Sequence, residues 1–297
     1  MILAFVHLGT AIPEFLQLNI TRTLKLFPDV QVRLICDSHS YPEKWTCPFS
    51  PNFKILLWSR NLLTEEEVGI IENLDNDSVF RKGYWTHTIE RLFALSLLFE
   101  ESKGPVLHIE SDILLFPDFP WSRFEQDLPA LIWGSARTGE DIGAIFYVSN
   151  GDSMKKFVSS AFRLLTNSPR HTDMSLLYEI RQNREIDVGI FPYFHESISR
   201  KTESGEVERD RITLRSVFGG YFDIAPLGIW LTGIDPRNTY GFQVLRDEEH
   251  LRNSGYYSVV PTSTSLLLDE KGCLKVDDYP IYTLHIHAKI NKLFSEE

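Results

Sequence analysis

Gly104-Pro105-Val106-Leu107-His108-Ile109-Glu110-Ser111-Asp112 is the stretch on which the reading of the fold turns. Gly-Pro stops a preceding helix, and Val106 to Ile109 then reads as a short buried strand. The strand delivers two carboxylates, separated by one residue, onto a turn. Ligands in open α/β sheets bind beyond the carboxyl ends of the strands, so Glu110-Ser111-Asp112 emerges where a ligand would sit.

Working outward, Trp85, Ile89, Leu92, Phe93 and Phe99 fall at helical spacing between Tyr84 and Glu101. Further upstream the chain alternates strand-like and helix-like patterns. Ile2 to Val6 is an apolar run, and Pro13 opens a helix carrying Leu16, Ile20, Leu24 and Phe27. Gln31 to Cys36 is a strand ending at Asp37, and Phe53 to Trp58 is another. Thr64 and Glu67 form a capping box for a helix with Val68, Ile71 and Leu74. The alternation predicts an α/β fold with a largely parallel sheet. Downstream, strands are expected at Ala130 to Trp133 and Ala144 to Val148, and helices at Ser153 to Leu165 and Thr172 to Asn183. Ser199 to Asp210, dense in charge, reads as a solvated loop. Leu266 to Leu268 and Leu274 to Val276 flank a turn at Glu270-Lys271-Gly272, and a last strand, Ile281 to His287, leads into a basic tail.

The 297 residues are 43% hydrophobic, enough for one large core, and carry a formal charge of −11. That charge argues against nucleic acid as a partner, which needs clustered Lys and Arg. An acidic protein handling an anionic substrate needs a cation or a few placed basic residues. Cys36, Cys47 and Cys273 have no C-x-x-C spacing and cannot all pair within one chain, which favours a reducing compartment. The apolar opening lacks a basic leader, and no run reaches the ~18 apolar residues of a membrane span. The expectation is a cytoplasmic protein whose membrane contact, if any, is peripheral.

Glu110 and Asp112 suit a hard divalent cation, leaving positions open for phosphate oxygens. The spacing alone is common here: Asp75/Asp77, Glu125/Asp127, Glu185/Asp187 and Glu208/Asp210 share it, but only 110–112 directly follows a compact apolar strand behind a long amphipathic helix. The second constellation is Thr283, His285, His287 and Lys289. On a strand these share one face, with Leu284, Ile286 and Ala288 on the other. One imidazole completes a metal site there, and the ammonium offsets a phosphate. Gly219 to Asn238, with Tyr221, Phe222, Asp223, Trp230 and Asp235-Pro236-Arg237-Asn238, combines flexible glycines with aromatic faces and amide and carboxylate groups that suit a sugar ring or a turn-rich connector.

Strand, helix, apolar strand and acidic triplet, closed by His-x-His-x-Lys, together resemble the GT-A class of nucleotide-sugar glycosyltransferases, with Glu110-Ser111-Asp112 at the place of their Asp-x-Asp motif. The resemblance implies a Rossmann-type mixed sheet flanked by helices in one compact domain. Residues 1–120 would be the nucleotide-sugar-binding half and 121–297 the acceptor half. It implies Mn²⁺ or Mg²⁺ held by Asp112, Glu110 and one of His285 and His287, with Lys289 on the diphosphate. It further implies a nucleotide-sugar donor, a UDP-sugar by preference, and a glycan or lipid-linked acceptor. On the donor side it points to His7, Asp37, Arg91 and Ser111. Asp173 is the candidate base for the acceptor hydroxyl, ahead of Asp141, Glu196 and Asp235, although retention of configuration is slightly favoured.

Two other classes compete. A nucleotidyltransferase would want a basic, glycine-rich loop after the first strand, and His7-Leu8-Gly9-Thr10 has one glycine and no Lys or Arg. A metal-dependent carbohydrate-binding protein fits the aromatic segments without requiring the nucleotide-type α/β half.

Overall fold

The computed structural model of the chain describes residues 1–9, 11–41, 50–74, 83–137, 139–193, 205–232, 266–287 and 293–294. Its strands are β1 (Ile2–His7), β2 (Gln31–Cys36), β3 (Phe53–Leu57), β4 (Val106–Ile109), β5 (Ile113–Leu115), β6 (Leu131–Arg137), β7 (Glu140–Val148), β8 (Val188–Ile190), β9 (Tyr221–Phe222), β10 (Leu266–Leu268), β11 (Leu274–Val276) and β12 (Tyr279–His285). The helices are α1 (Glu14–Leu26), α2 (Glu65–Glu72), α3 (Tyr84–Ala94), α4 (Leu98–Glu101), α5 (Gly151–Asn167), α6 (Asp173–Asn183), α7 (Gly205–Phe218) and α8 (Pro226–Thr232).

A seven-stranded sheet runs β3-β2-β1-β4-β7-β6-β8, with β7 antiparallel to both of its neighbours and the other pairs parallel. This is the expected mixed α/β sheet flanked by helices. β1 and β4 sit at its centre, and Leu3, Ala4, Phe5, Val106, Leu107 and Ile109 are wholly buried, which is why these strands read as unbroken apolar runs rather than alternations. The strand order reverses between β1 and β4. At such a switch point the connections diverge and open a crevice beyond the strand ends. The loop after His7 and the turn after Ile109 both lie there.

Immediately past that turn the chain enters a second sheet, β10-β11-β12-β5, in which β12 also pairs with β9. Glu110 to Asp112 is therefore the joint between the two sheets. Strands from either side of residue 120 contribute to both. Aromatic rings fill the space behind the joint: Phe222 lies 4.7 Å from Phe191, 5.3 Å from Tyr282 and 5.9 Å from Phe119, centroid to centroid. Such offset and edge-on pairs add to the hydrophobic gain of burial.

Three features differ from the sequence reading. Residues 205–210, expected in a solvated loop, begin α7, because buried Leu214 and Phe218 further along anchor a helix that the charged stretch alone conceals. The helix expected over Tyr84 to Glu101 is two helices joined by a 3₁₀ turn at Leu95–Leu97. The last strand begins at Tyr279 and ends at His285, where the Ile286 N–H turns to the Asp112 carbonyl at 2.7 Å. Thr283 and His285 share a face as expected, yet both faces of β12 are buried there, and the alternation stops before His287.

α8 packs on β12 through Gly228. A Cβ at that position would lie 1.8 Å from the His285 carbonyl oxygen and 2.9 Å from Asp223 Oδ2. Neither the strand backbone nor a buried carboxylate yields cheaply. Gly228→Ala is expected to lower unfolding free energy by about 1–3 kcal/mol or more, read from the urea midpoint. An unchanged midpoint would show that α8 is not seated against β12.

Candidate metal centre

Four short hydrogen bonds hold the acidic turn. Glu110 N–H donates to Ala144 O on β7 at 2.8 Å, and Ile113 N–H closes the turn onto Glu110 O at 3.1 Å. Asp112 O accepts from Ile286 N–H, and Asn19 Nδ2 donates to Ser111 O at 3.1 Å. With the backbone so fixed, the carboxylates of Glu110 and Asp112 turn toward β12. His285 Nε2 lies 3.3 Å from Glu110 Oε2 and 3.3 Å from Asp112 Oδ1. One ligand atom from each of the three residues falls within 4.8 Å of the others. Among the described residues they form the one group of three or more acidic, histidine or cysteine side chains with that convergence.

The tautomer of His285 follows from its surroundings. Nδ1 lies 2.8 Å from the Ile224 carbonyl, which can only accept, so Nδ1 carries a proton and Nε2 faces the carboxylates. A histidine metal ligand takes this form, with its second nitrogen held by a carbonyl. Asp223 stations the strand end: Oδ1 accepts from the N–H groups of Ala225 and Leu227, and Oδ2 from those of Gly228 and His285, at 2.7 to 3.1 Å. Burial raises its pKa despite these bonds. For His285 burial works toward a lower pKa, but Asp112 and then Glu110 overcome it and raise the imidazole to about 9. Without a cation, a proton takes the cation's place.

Behind the turn, α3 supplies a second counter-charge. Arg91 is buried, with Nη1 bonded to Glu110 Oε1 and Nη2 3.4 Å from Asp173 Oδ2. Burial disfavours its charge, but Glu110 and Asp173 more than restore it and hold the pKa above the ordinary arginine value. Asp173, in the first turn of α6 after the Thr172 cap, is shifted upward by burial, with Arg91 opposing. His108, beneath the cluster on β4, is lowered to about 3 by burial and then by Arg91, so it is neutral and donates Nδ1–H to Ala4 O at 3.0 Å.

The residues expected from sequence thus divide. Glu110, Asp112, His285, Arg91 and Asp173 come together. His287 stacks on His285, ring centroids 3.9 Å apart, but lies past the strand end. Ser111 contributes its carbonyl to Asn19. His7 and Asp37 end β1 and β2, and Asp37 accepts the N–H groups of Gly9 and Ser40 at 2.7 and 2.8 Å, so it ties the two strand-end loops. Burial works toward a higher pKa for Asp37, and the bonds from Ser40 and Gly9 hold it below the usual carboxylate value. Asp141 is taken by a bidentate Arg181 fork at 2.7 and 2.9 Å and by Trp133 Nε1 at 2.9 Å, far from a base's freedom. Lys289, Glu196 and Asp235 lie outside the described residues.

Three participants escaped the sequence reading. Asp223 was seen only as part of a glycine-rich stretch. Tyr84, whose pKa is raised by burial and by Glu110 and Asp173, shares a helix face with Thr88 and Arg91 at i, i+4 and i+7. That polar stripe on an apolar helix was the available signal. Asn19 is the third. By contrast, an open groove of about 630 Å³ at the other end of the sheet, lined by Met1, Pro105, Phe124, Asp127, Tyr147 and Asp187, brings acids and apolar groups together without a histidine, lysine or arginine.

No family model matches the chain, and no curated protein matches it in sequence. Solved structures similar to it include the galactosyltransferase LgtC in complex with donor and acceptor sugar analogues, at 13% identity and a TM-score of 0.47 over 71% of this chain and 82% of that one. Mouse xyloside xylosyltransferase 1 in its apo form is similar at 9% identity and 0.41, over 64% and 84%. The glycosyltransferase GlyE of Streptococcus pneumoniae is similar at 12% and 0.41, over 64% and 45%. These are likenesses of chain trace, and the reading of the site rests on its own geometry.

The raised pKa of His285 makes the metal-free protein's stability depend on pH. A folded-state pKa of about 9 against an ordinary 6.5 gives a contribution that is complete below pH 6.5 and lost as pH rises toward 9. In EDTA, the stability gap between wild type and His285→Asn is expected to narrow across that interval in urea titrations. A constant gap would mean that the imidazole does not sit between the two carboxylates.

Proposed function

We propose that the chain is a metal-dependent glycosyltransferase that moves a sugar from a nucleotide-sugar donor, a UDP-sugar by preference, to a glycan or other hydroxyl acceptor. The observation that carries the reading is the convergence of Glu110, Asp112 and His285 Nε2 at the switch point of the sheet. Two carboxylates and a neutral imidazole whose other nitrogen is held by a carbonyl fit Mn²⁺ or Mg²⁺. Such an ion would act as a Lewis acid toward the nucleoside diphosphate leaving group.

The chain's own residues set the conditions for that chemistry. Asp112 is the principal ligand. Glu110 has one oxygen committed to Arg91, leaving the other for the metal. Arg91, with both terminal nitrogens engaged by carboxylates, supplies phosphate with a field rather than a direct contact. His287, stacked against His285, is the alternate imidazole, and Lys289 is the proposed counter-charge for the diphosphate. His7, with the loop that Asp37 ties to β1, borders the crevice on the donor side. Ser111 holds the turn through its backbone. Asp173 is the proposed acceptor-side base, since burial moves its pKa toward the range in which a carboxylate accepts a proton effectively.

No described helix is long and apolar enough to cross a membrane; a lipid-linked acceptor reached by peripheral contact is part of the proposal.

Calorimetric titration with UDP, GDP and CMP, each with Mn²⁺ and with EDTA, tests the donor class. Tight binding of one nucleotide only with metal is expected. Asp112→Asn should cut metal-stimulated turnover of the corresponding nucleotide sugar by about 100-fold or more while the protein stays folded. Unchanged turnover would remove Asp112 from the metal site, and pyrophosphate release from a nucleoside triphosphate would instead identify a nucleotidyltransferase.

A further inference from the structure

The outer side of the acidic joint is held by a helix. β5 pairs with β12, and carbonyls of its flank are met by side chains of α1: Asn19 Nδ2 donates to Ser111 O at 3.1 Å and to Ile113 O at 2.7 Å, and Arg22 Nη1 donates to Leu115 O at 2.6 Å. Asn19 has no exposed surface, and its Oδ1 accepts no hydrogen bond from the described residues. The amide orientation is forced, because both partners are carbonyls and only the nitrogen can donate to them. Both of its N–H bonds therefore span the turn, one on each side of Asp112.

The other bonds that hold this turn, to the Ala144 carbonyl and from the N–H groups of Ile286 and Ile113, are backbone to backbone and would form with many sequences. Asn19 alone among them is a side-chain choice. An apolar residue would pack at least as well in so dry a place, so an amide there has a cost that its two bonds must offset. Their effect is to brace the Ser111–Asp112 peptide and, one residue beyond Asp112, the Ile113–Leu114 peptide from behind, while Ile286 N–H holds the Asp112 carbonyl between them and His285 faces the carboxylate from the front.

We propose that Asn19 is a positioning residue for the cation site, fixing the direction in which Asp112 presents its carboxylate. The proposal rests on reading Glu110, Asp112 and His285 as metal ligands. Supporting residues behind a ligand set change metal affinity by roughly 10–100-fold when removed, whereas a buried residue elsewhere on the same helix changes only stability. Leu24, on α1 and buried against the core, serves as that comparison.

The test is Mn²⁺ binding followed by the electron paramagnetic resonance signal of free Mn²⁺, on wild type, Asn19→Ala, Leu24→Ala and Asp112→Asn, each with its urea midpoint. Wild type is expected to bind one Mn²⁺ and Asp112→Asn to lose it. Asn19→Ala should weaken binding by roughly 10-fold or more, and Leu24→Ala, with an equal or larger loss of stability, by less than about 2-fold. If Asn19→Ala does not fold, Asn19→Ser, which keeps a donor, should weaken binding in the same direction by a smaller factor. Wild-type affinity in the Asn19 variant, or an equal loss in Leu24→Ala, overturns the proposal while leaving the ligand reading in place. No Mn²⁺ binding by wild type overturns both.

Discussion

Three carboxylates, Glu110, Asp112 and Asp173, meet in a largely buried place, and their charges have to be answered there. Isolated buried carboxylates carry a desolvation penalty of several kcal/mol each. Two cations answer them from opposite sides: Arg91 binds Glu110 and Asp173, and protonated His285 faces Glu110 and Asp112. The two do not answer in the same way. A guanidinium remains charged at any ordinary pH, whereas an imidazolium can lose its proton to solvent and bind a metal through the freed nitrogen. One side of the cluster is thus permanent and the other exchangeable, which is the arrangement a cation-binding site requires.

The architecture serves that division. The joint from β4 to β5 carries the acids out of one sheet and into the other, and β12 brings the imidazole back against them. Asp223 and Gly228 hold the end of β12 by a carboxylate and by the lack of a side chain, respectively. Asn19 steadies the joint from the opposite face. Each device acts on backbone groups of a ligand or of its neighbours in the chain.

Much of this was legible before the structure. Central parallel strands announce themselves as continuous apolar runs, and Glu110-Ser111-Asp112 was distinguishable from four similarly spaced acid pairs by the strand in front of it. His285 was visible by its spacing from His287, although spacing could not say that β12 would stop between them. The break comes from Ile286 bonding to Asp112, a contact 174 positions away in the chain that no local pattern encodes. Asn19 and Asp223 stayed hidden for the same reason. Each looks like an ordinary polar residue on a helix or in a turn until distant backbone arrives at it. Arg91 was legible as a donor-side candidate on its helix, but not as the counter-charge of Glu110 and Asp173, because those carboxylates come from beyond β4 and from α6.

The most direct test of the account is a crystal structure of the protein grown with millimolar Mn²⁺ and measured for anomalous scattering. The account predicts one strong peak within about 2.0–2.3 Å of oxygens from Glu110 and Asp112 and of His285 Nε2, with its remaining positions facing the crevice beyond β1 and β4. A well-ordered site with no peak there, and His285 still bonded to both carboxylates, would contradict it.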